Sequence, residues 1–238
     1  MSSLYLIRHG QAGLRQHYDT LSALGREQSY LLGRHLAARK VCFDAVYAGG
    51  LERQRQTAAE VCRAYREAGL ELPPPIHDPH WSEFDLTAVF EELAPVMCAE
   101  DPEFHRLHTE LLDRLADDQA AEHRSWTHCD TLVMRAWMEG RYPTRAESWL
   151  EFHTRVCGAL ETLAGRRSGE TVAVFTSAMP IAIWLGMALG VHNGQLMRVA
   201  GVMYNSALTT MRLHERDLTL FTFNGVAHLD EPRLRTFR

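Results

Sequence analysis

The sequence predicts an α/β fold of three α/β/α layers, built on a mixed, mainly parallel sheet and carrying a helical insertion. Three observations lead there. Short apolar runs ending in glycine alternate with amphipathic segments over the first 70 residues, the stretch from about 87 to 145 is helical without β-branched runs, and strand-like runs resume at Thr171. Strand–helix alternation of this kind produces a parallel sheet covered on both faces.

Each element has its own signal. Leu4–Ile7 is apolar and runs into Arg8-His9-Gly10, as in a buried strand whose C-terminal end carries a functional loop. LSALGREQSYLLGRHLAARK (21–40) has helical spacing, with Ser22 placed as an N-cap. FDAVYAGG (43–50) reads as a second strand, and LERQRQTAAEVCRAYREAGL (51–70) as an amphipathic helix that Gly69 ends. ELPPPIHDPHW (71–81) is a proline-rich connection with a short extended piece around Ile76.

The insertion contains VFEELAPVMCAE, PEFHRLHTELLDRLADD and CDTLVMRAWMEG, all expected to be helical. RAESWLEFHTRVCGALETLAGRR (145–167) is a long helix, ETVAVFTS a strand and MPIAIWLGMALG a helix. Residues 196–225 finish the chain as two or three strands, with a hairpin near Glu215–Asp217. The whole of 1–238 reads as one domain with a helical cap at about 87–145.

Composition narrows the function. Hydrophobic residues at 46% and charged residues at 23% suit a globular chain rather than a disordered or membrane one. A net charge of −5 provides no general field for nucleic acid, so any phosphate-binding charge must be local. The N-terminus lacks the pattern of a secretory signal, and the expected compartment is the cytoplasm. Cys42, Cys62, Cys98, Cys129 and Cys157 are odd in number and include no CxxC pair, which favours reduced, packed thiols over disulfides or zinc. His105, His108, His123 and His128 lack a carboxylate at ligand spacing and read as exposed side chains.

A phosphoryl-transfer site without metal needs a nucleophile, cations for the phosphoryl oxygens and an acid for the leaving oxygen. Arg8-His9-Gly10 offers the first two, although three residues alone would equally suit a surface ion pair beside a packed histidine. Further blocks follow in order: LYLIRHGQA, DTLSALGREQSYLLGRHL, YAGGLERQRQTAAEV, WSEFDL, NSALTTM and FNGVAHL. Together they resemble the histidine phosphatase superfamily, the phosphoglycerate mutase-like enzymes.

The resemblance implies that His9 is the phosphorylated nucleophile, that Arg8 and Arg53 hold the phosphoryl group, and that Glu83 is the general acid. Burial beside Trp81 and Phe84 is expected to keep Glu83 protonated. Arg55 competes with Arg53, and Asp85 with Glu83; either acid could cap the helix beginning near Thr87. Gly10, Gln11, Ser177 and Ala178 are expected at the substrate, with Gln11 equally suited to packing the loop. Arg15 lies near where mutase-type members place a phosphate-contacting asparagine.

Two blocks depart from the family. In TVAVFTSAMP, Ser177 stands where the resemblance implies a second histidine, and Gly49-Gly50 stand where serines are usual. Exchanging a charged donor for a hydroxyl costs roughly 1–2 kcal/mol, or about 5- to 30-fold in rate. Ser177 could also serve as the N-cap of the following helix, whose N–H groups face the same spot. The resulting expectation is a phosphatase without metal or other cofactor, hydrolysing a small phosphomonoester through phospho-His9 with activity open to reduction. Its partners are a small phosphorylated substrate or phosphate, not nucleic acid or membrane, and a homodimer is compatible. The alternatives are a non-catalytic phospholigand-binding protein, a mutase-type phosphotransferase, or a chain whose insertion is an interaction surface.

Overall fold

A computed structural model describes residues 1–13, 19–116 and 126–237. Along the chain run β1 (Ser2–Arg8), α1 (Ala23–Ala38), β2 (Ala45–Ala48), α2 (Glu52–Glu67), β3 (Ile76–His77), α3 (Leu86–Glu100), α4 (Pro102–Leu115) and α5 (His128–Met138). They are followed by α6 (Trp149–Ala164), β4 (Thr171–Thr176), α7 (Ala178–Leu189), α8 (Asn193–Gly201), β5 (Leu208–His214) and β6 (Asp217–Gly225). The sheet has the order β3-β2-β4-β1-β5-β6, parallel from β3 to β1 and antiparallel from β1 to β6. It is the mixed, mainly parallel α/β arrangement expected.

Two compact units make up the chain: Met1–Glu83 with Val156–Arg238, and Phe84–Arg155. In the first, Ile7, Val46 and Phe175 of three adjacent strands pack against Leu32 and Leu36 of α1 and Val61 and Tyr65 of α2. In the second, Phe84, Trp137, Trp149 and Phe152 form a cluster of rings with centroids 4.6 to 5.9 Å apart. Glu92 closes that unit's last loop by accepting bonds from Thr144 Oγ1 and the N–H groups of Arg145 and Ala146.

Local signals hold at most helix starts. Ser22 caps α1, accepting from Gly25 N–H at 3.0 Å, and Asp85 caps α3, accepting from Ala88 N–H at 3.1 Å. One segment differs: Leu196–Gly201, expected to be extended, is helical in α8. Leu196 is its buried residue, so the segment needs one apolar contact rather than the alternating face of a strand. The C-terminal hairpin is therefore two strands, β5 and β6, turning at Glu215–Arg216.

The loop after β1 is pressed against α1. A Cβ on Gly25 would lie 2.0 Å from Gln11 O, and one on Gly10 would lie 2.3 Å from Gly25 O. Beyond it, the backbone before β5 turns through Ser206 at φ +57°. Ser206 Oγ lies 2.7 Å from His228 Nε2, and burial lowers the His228 pKa to about 3. The imidazole is thus neutral and shares one hydrogen bond with the hydroxyl.

Alanine normally favours a helix by about 1 kcal/mol over glycine, but Gly25→Ala drives a methyl into backbone and should destabilise by about 1–3 kcal/mol in urea unfolding. His228 yields a second test. The unfolded histidine takes up a proton below its ordinary 6.5, whereas the folded one resists until about 3, so stability falls as pH drops through that window and is fully present above it. His228→Gln should flatten this slope in unfolding curves measured between about pH 7 and pH 4.

Candidate active site

β1 and β4 pair in parallel with Arg8 opposite Thr176, and His9 N–H donates to Thr176 O at 2.9 Å. His9 and Ser177 consequently leave the sheet side by side at the C-terminal ends of adjacent strands, where α/β proteins place ligands. Both are buried, as are Arg8 and Arg53.

His9 is held on every polar side. Its Nδ1 lies 2.7 Å from Gly10 O; a carbonyl can only accept, so Nδ1 carries the proton and Nε2 keeps its lone pair. Arg53 Nε lies 3.3 Å from that Nε2. His9 O accepts from Ser206 N–H at 3.1 Å. Burial, then the charges of Arg53 and Arg8, hold the His9 pKa well below 6.5, against a smaller opposing effect of the Gly10 bond. The ring is neutral, with its nucleophilic nitrogen turned toward a guanidinium.

Arg53 comes from the first turn of α2, and the structure separates it from its rival. Arg53 is 5% exposed at His9, whereas Arg55 bonds Glu52 on the surface. The Arg53 guanidinium also pairs with Asp19 Oδ1 at 3.1 Å, and Asp19 Oδ2 accepts from Glu52 N–H at 3.2 Å. Arg8 donates from its guanidinium to Met203 O.

Glu83 and Asp85 separate as well. Asp85 is the helix cap, whereas Glu83 Oε2 accepts from Met179 N–H at 3.2 Å, in the first turn of α7 just beyond Ser177. Glu83 Oε1 is shielded from solvent, and Oε2 makes the Met179 contact. Glu83 is half-buried; the Trp81 ring lies 4.9 Å from that of Trp184, and the Phe84 ring packs on Trp137 and Phe152. A backbone donor at a helix N-terminus favours negative charge on the carboxylate.

The remaining expected residues divide. Gly10 N–H donates to Thr57 Oγ1 at 3.0 Å, and its missing Cβ makes room for α1, so packing alone requires a glycine here. Gln11 packs the loop: its Oε1 accepts from Ser22 Oγ and its N–H donates to Gln28 Oε1. Ser177 occupies the N-cap position of α7 without a side-chain cap bond, because its Oγ accepts from Gln54 Nε2 at 2.8 Å. Ala178 begins α7, half-buried. Arg15 and His123 lie outside the described residues. Among the described residues, no group of three or more His, Cys, Asp or Glu could hold a metal ion.

Four contributors escaped the sequence reading: Asp19, Gln54, Thr57 and Ser206. Only Thr57 had a signal, lying four residues after Arg53 on the same helix face. The others reach the site through side-chain or backbone turns that carry no periodicity.

Comparison with known proteins agrees with this fold. A yeast (Saccharomyces cerevisiae) protein, broad-specificity phosphatase YOR283W, is 40% identical over 67 residues, which is 25% of this chain and 29% of that protein. The chain thus spans less than a third of its length. The structure of YhfR from Bacillus stearothermophilus superposes with a TM-score of 0.65 at 20% identity, covering 97% of this chain and 100% of that one. A phosphoglycerate mutase from Bacillus anthracis superposes with 0.63 at 17% identity, covering 96% and 95%. These likenesses establish the shared fold. The model of the histidine phosphatase superfamily (branch 1) matches residues 4–125 and 113–225, and with Arg8, His9 and Arg53 gathered at one strand end, the chain belongs to that superfamily.

Proposed function

We propose that the protein is a metal-independent phosphatase that hydrolyses a small phosphomonoester through a phosphohistidine at His9. The observation carrying this reading is the buried neutral imidazole, with its proton fixed on Nδ1 by Gly10 O and its Nε2 facing Arg53. The name of the yeast relative, a broad-specificity phosphatase, agrees with it.

His9 Nε2 attacks phosphorus in line as the ester P–O bond breaks, and the entering phosphoryl group takes over the Arg53 hydrogen bond. Arg8 and Arg53 balance charge on the phosphoryl oxygens, a task suited to planar guanidinium groups. Glu83 protonates the leaving oxygen; its carboxylate then removes a proton from water, which attacks the phosphohistidine and breaks the P–N bond. His9 returns to its neutral form and phosphate departs. Glu83 starts this cycle protonated, and the Met179 N–H that accompanies it favours the carboxylate needed for the second half.

The test is hydrolysis of para-nitrophenyl phosphate with EDTA present. Wild type should turn over, and His9→Ala should lose all but background and form no acid-labile phosphoenzyme. Equal activity in both would overturn the assignment; failure of both would favour a phospholigand-binding protein, the reading that the serine at 177 suits. The pH profile supplies a further prediction. His9 must be unprotonated, so the acid limb of kcat/KM belonging to it should lie below pH 6.5. Arg53→Gln removes a charge that lowers the His9 pKa, so this limb should move to higher pH while kcat/KM falls about 10²- to 10³-fold.

A further inference from the structure

Gln54 lies next to Arg53 in α2 and is fully buried, yet its side chain faces three segments rather than the apolar core. Its Oε1 accepts from Leu51 N–H at 3.2 Å, at the start of α2. Its Nε2 donates to Trp81 O at 3.1 Å, two residues before Glu83, and to Ser177 Oγ at 2.8 Å. A Cβ on Gly49 would lie 2.1 Å from Gln54 Oε1 and 2.7 Å from Trp81 O, so the glycine at 49 makes room for this amide. One side chain thereby ties together the segments carrying Arg53, Glu83 and Ser177.

The two backbone partners also fix how the amide lies. Leu51 N–H needs an acceptor and Trp81 C=O needs a donor, so the oxygen and nitrogen cannot exchange places. Ser177 Oγ must therefore accept from Gln54, and its own proton must point elsewhere. Among the described residues no hydrogen bond uses that proton, and the α7 cap does not engage the hydroxyl. The strand register sets Ser177 beside His9.

We infer that Gln54 is a positioning residue for phosphoryl transfer: it holds the Ser177 oxygen as an acceptor, so that the hydroxyl proton is donated to an oxygen of the phosphoryl group on His9. This rests on the phosphohistidine reading above. Gln54 touches no reacting atom; it acts through Ser177. A purely structural glutamine would brace the same three segments but would leave its effect independent of the serine hydroxyl.

A double-mutant cycle separates these roles. Gln54→Met, Ser177→Ala and the double variant are compared with wild type for kcat and KM on para-nitrophenyl phosphate, with melting temperature followed alongside. Each single change should lower kcat by about 5- to 30-fold with KM nearly unmoved, and the double variant should be no slower than the slower single one. Multiplied losses in the double variant, or an undiminished kcat in Gln54→Met, would overturn the inference. If Gln54→Met does not fold, Gln54→Glu, which keeps the acceptor for Leu51 N–H, takes its place under the same criteria. His9→Ala distinguishes the two readings: activity that survives it removes the phosphohistidine, whereas a failed cycle with His9 still essential removes only the role of Gln54. Should wild type not turn over, the cycle is read on vanadate affinity, where the same non-additivity supports the inference and additivity overturns it.

Discussion

The site depends on one buried imidazole held neutral between a carbonyl and a guanidinium. Gly10 O fixes the proton of His9 on Nδ1, and Arg53 stands at Nε2, so tautomer and charge state are settled before any ligand arrives. Burial removes the water that would stabilise an imidazolium, and the positive charge of Arg53 and Arg8 adds to the penalty. Other features of the unit serve this arrangement. The parallel β1–β4 pair brings His9 beside Ser177, and the tight approach of α1 holds the loop whose carbonyl orients the ring.

A second consequence concerns charge balance. Two buried arginines near a neutral histidine favour an anion at the same place, the electrostatic condition for gathering phosphate in a chain whose net charge is −5. Asp19 supplies a partial counter-charge on Arg53 from a position about half exposed, where its pull is screened by water. Glu83 is treated differently, drawing its hydrogen bond from the helix that follows Ser177. Acid and cations are thereby kept on separate elements, although the backbone brings them to one end of the sheet.

Much of this was legible in the residues. Leu4–Ile7 running into Arg8-His9-Gly10, the helix behind Ser22 and the strand before Ser177 all rest on local apolar patterning and capping, which short-range physics imposes wherever the chain goes. The choice of Arg53 over Arg55 was legible too, because the spacing LxRxxQTA of the superfamily that the chain resembles favours Arg53. Less local features were not. Leu196–Gly201, expected to be extended, is helical with Leu196 as its buried residue, and the glycine at position 10 makes room for α1, a contact that no local pattern announces.

By itself, the order of residues determined the alternation of strands and helices, the superfamily and the side chains available for phosphoryl transfer. Tertiary structure alone decided their states: which nitrogen of His9 carries a proton, which acid caps a helix and which meets α7, and that Gln54 holds Ser177. The physical reason is that protonation and hydrogen-bond direction depend on burial, on how the backbone turns, as where Gly10 O meets His9, and on partners far along the chain, such as Gln54 with Ser177 across 123 positions, and no local pattern encodes those contacts.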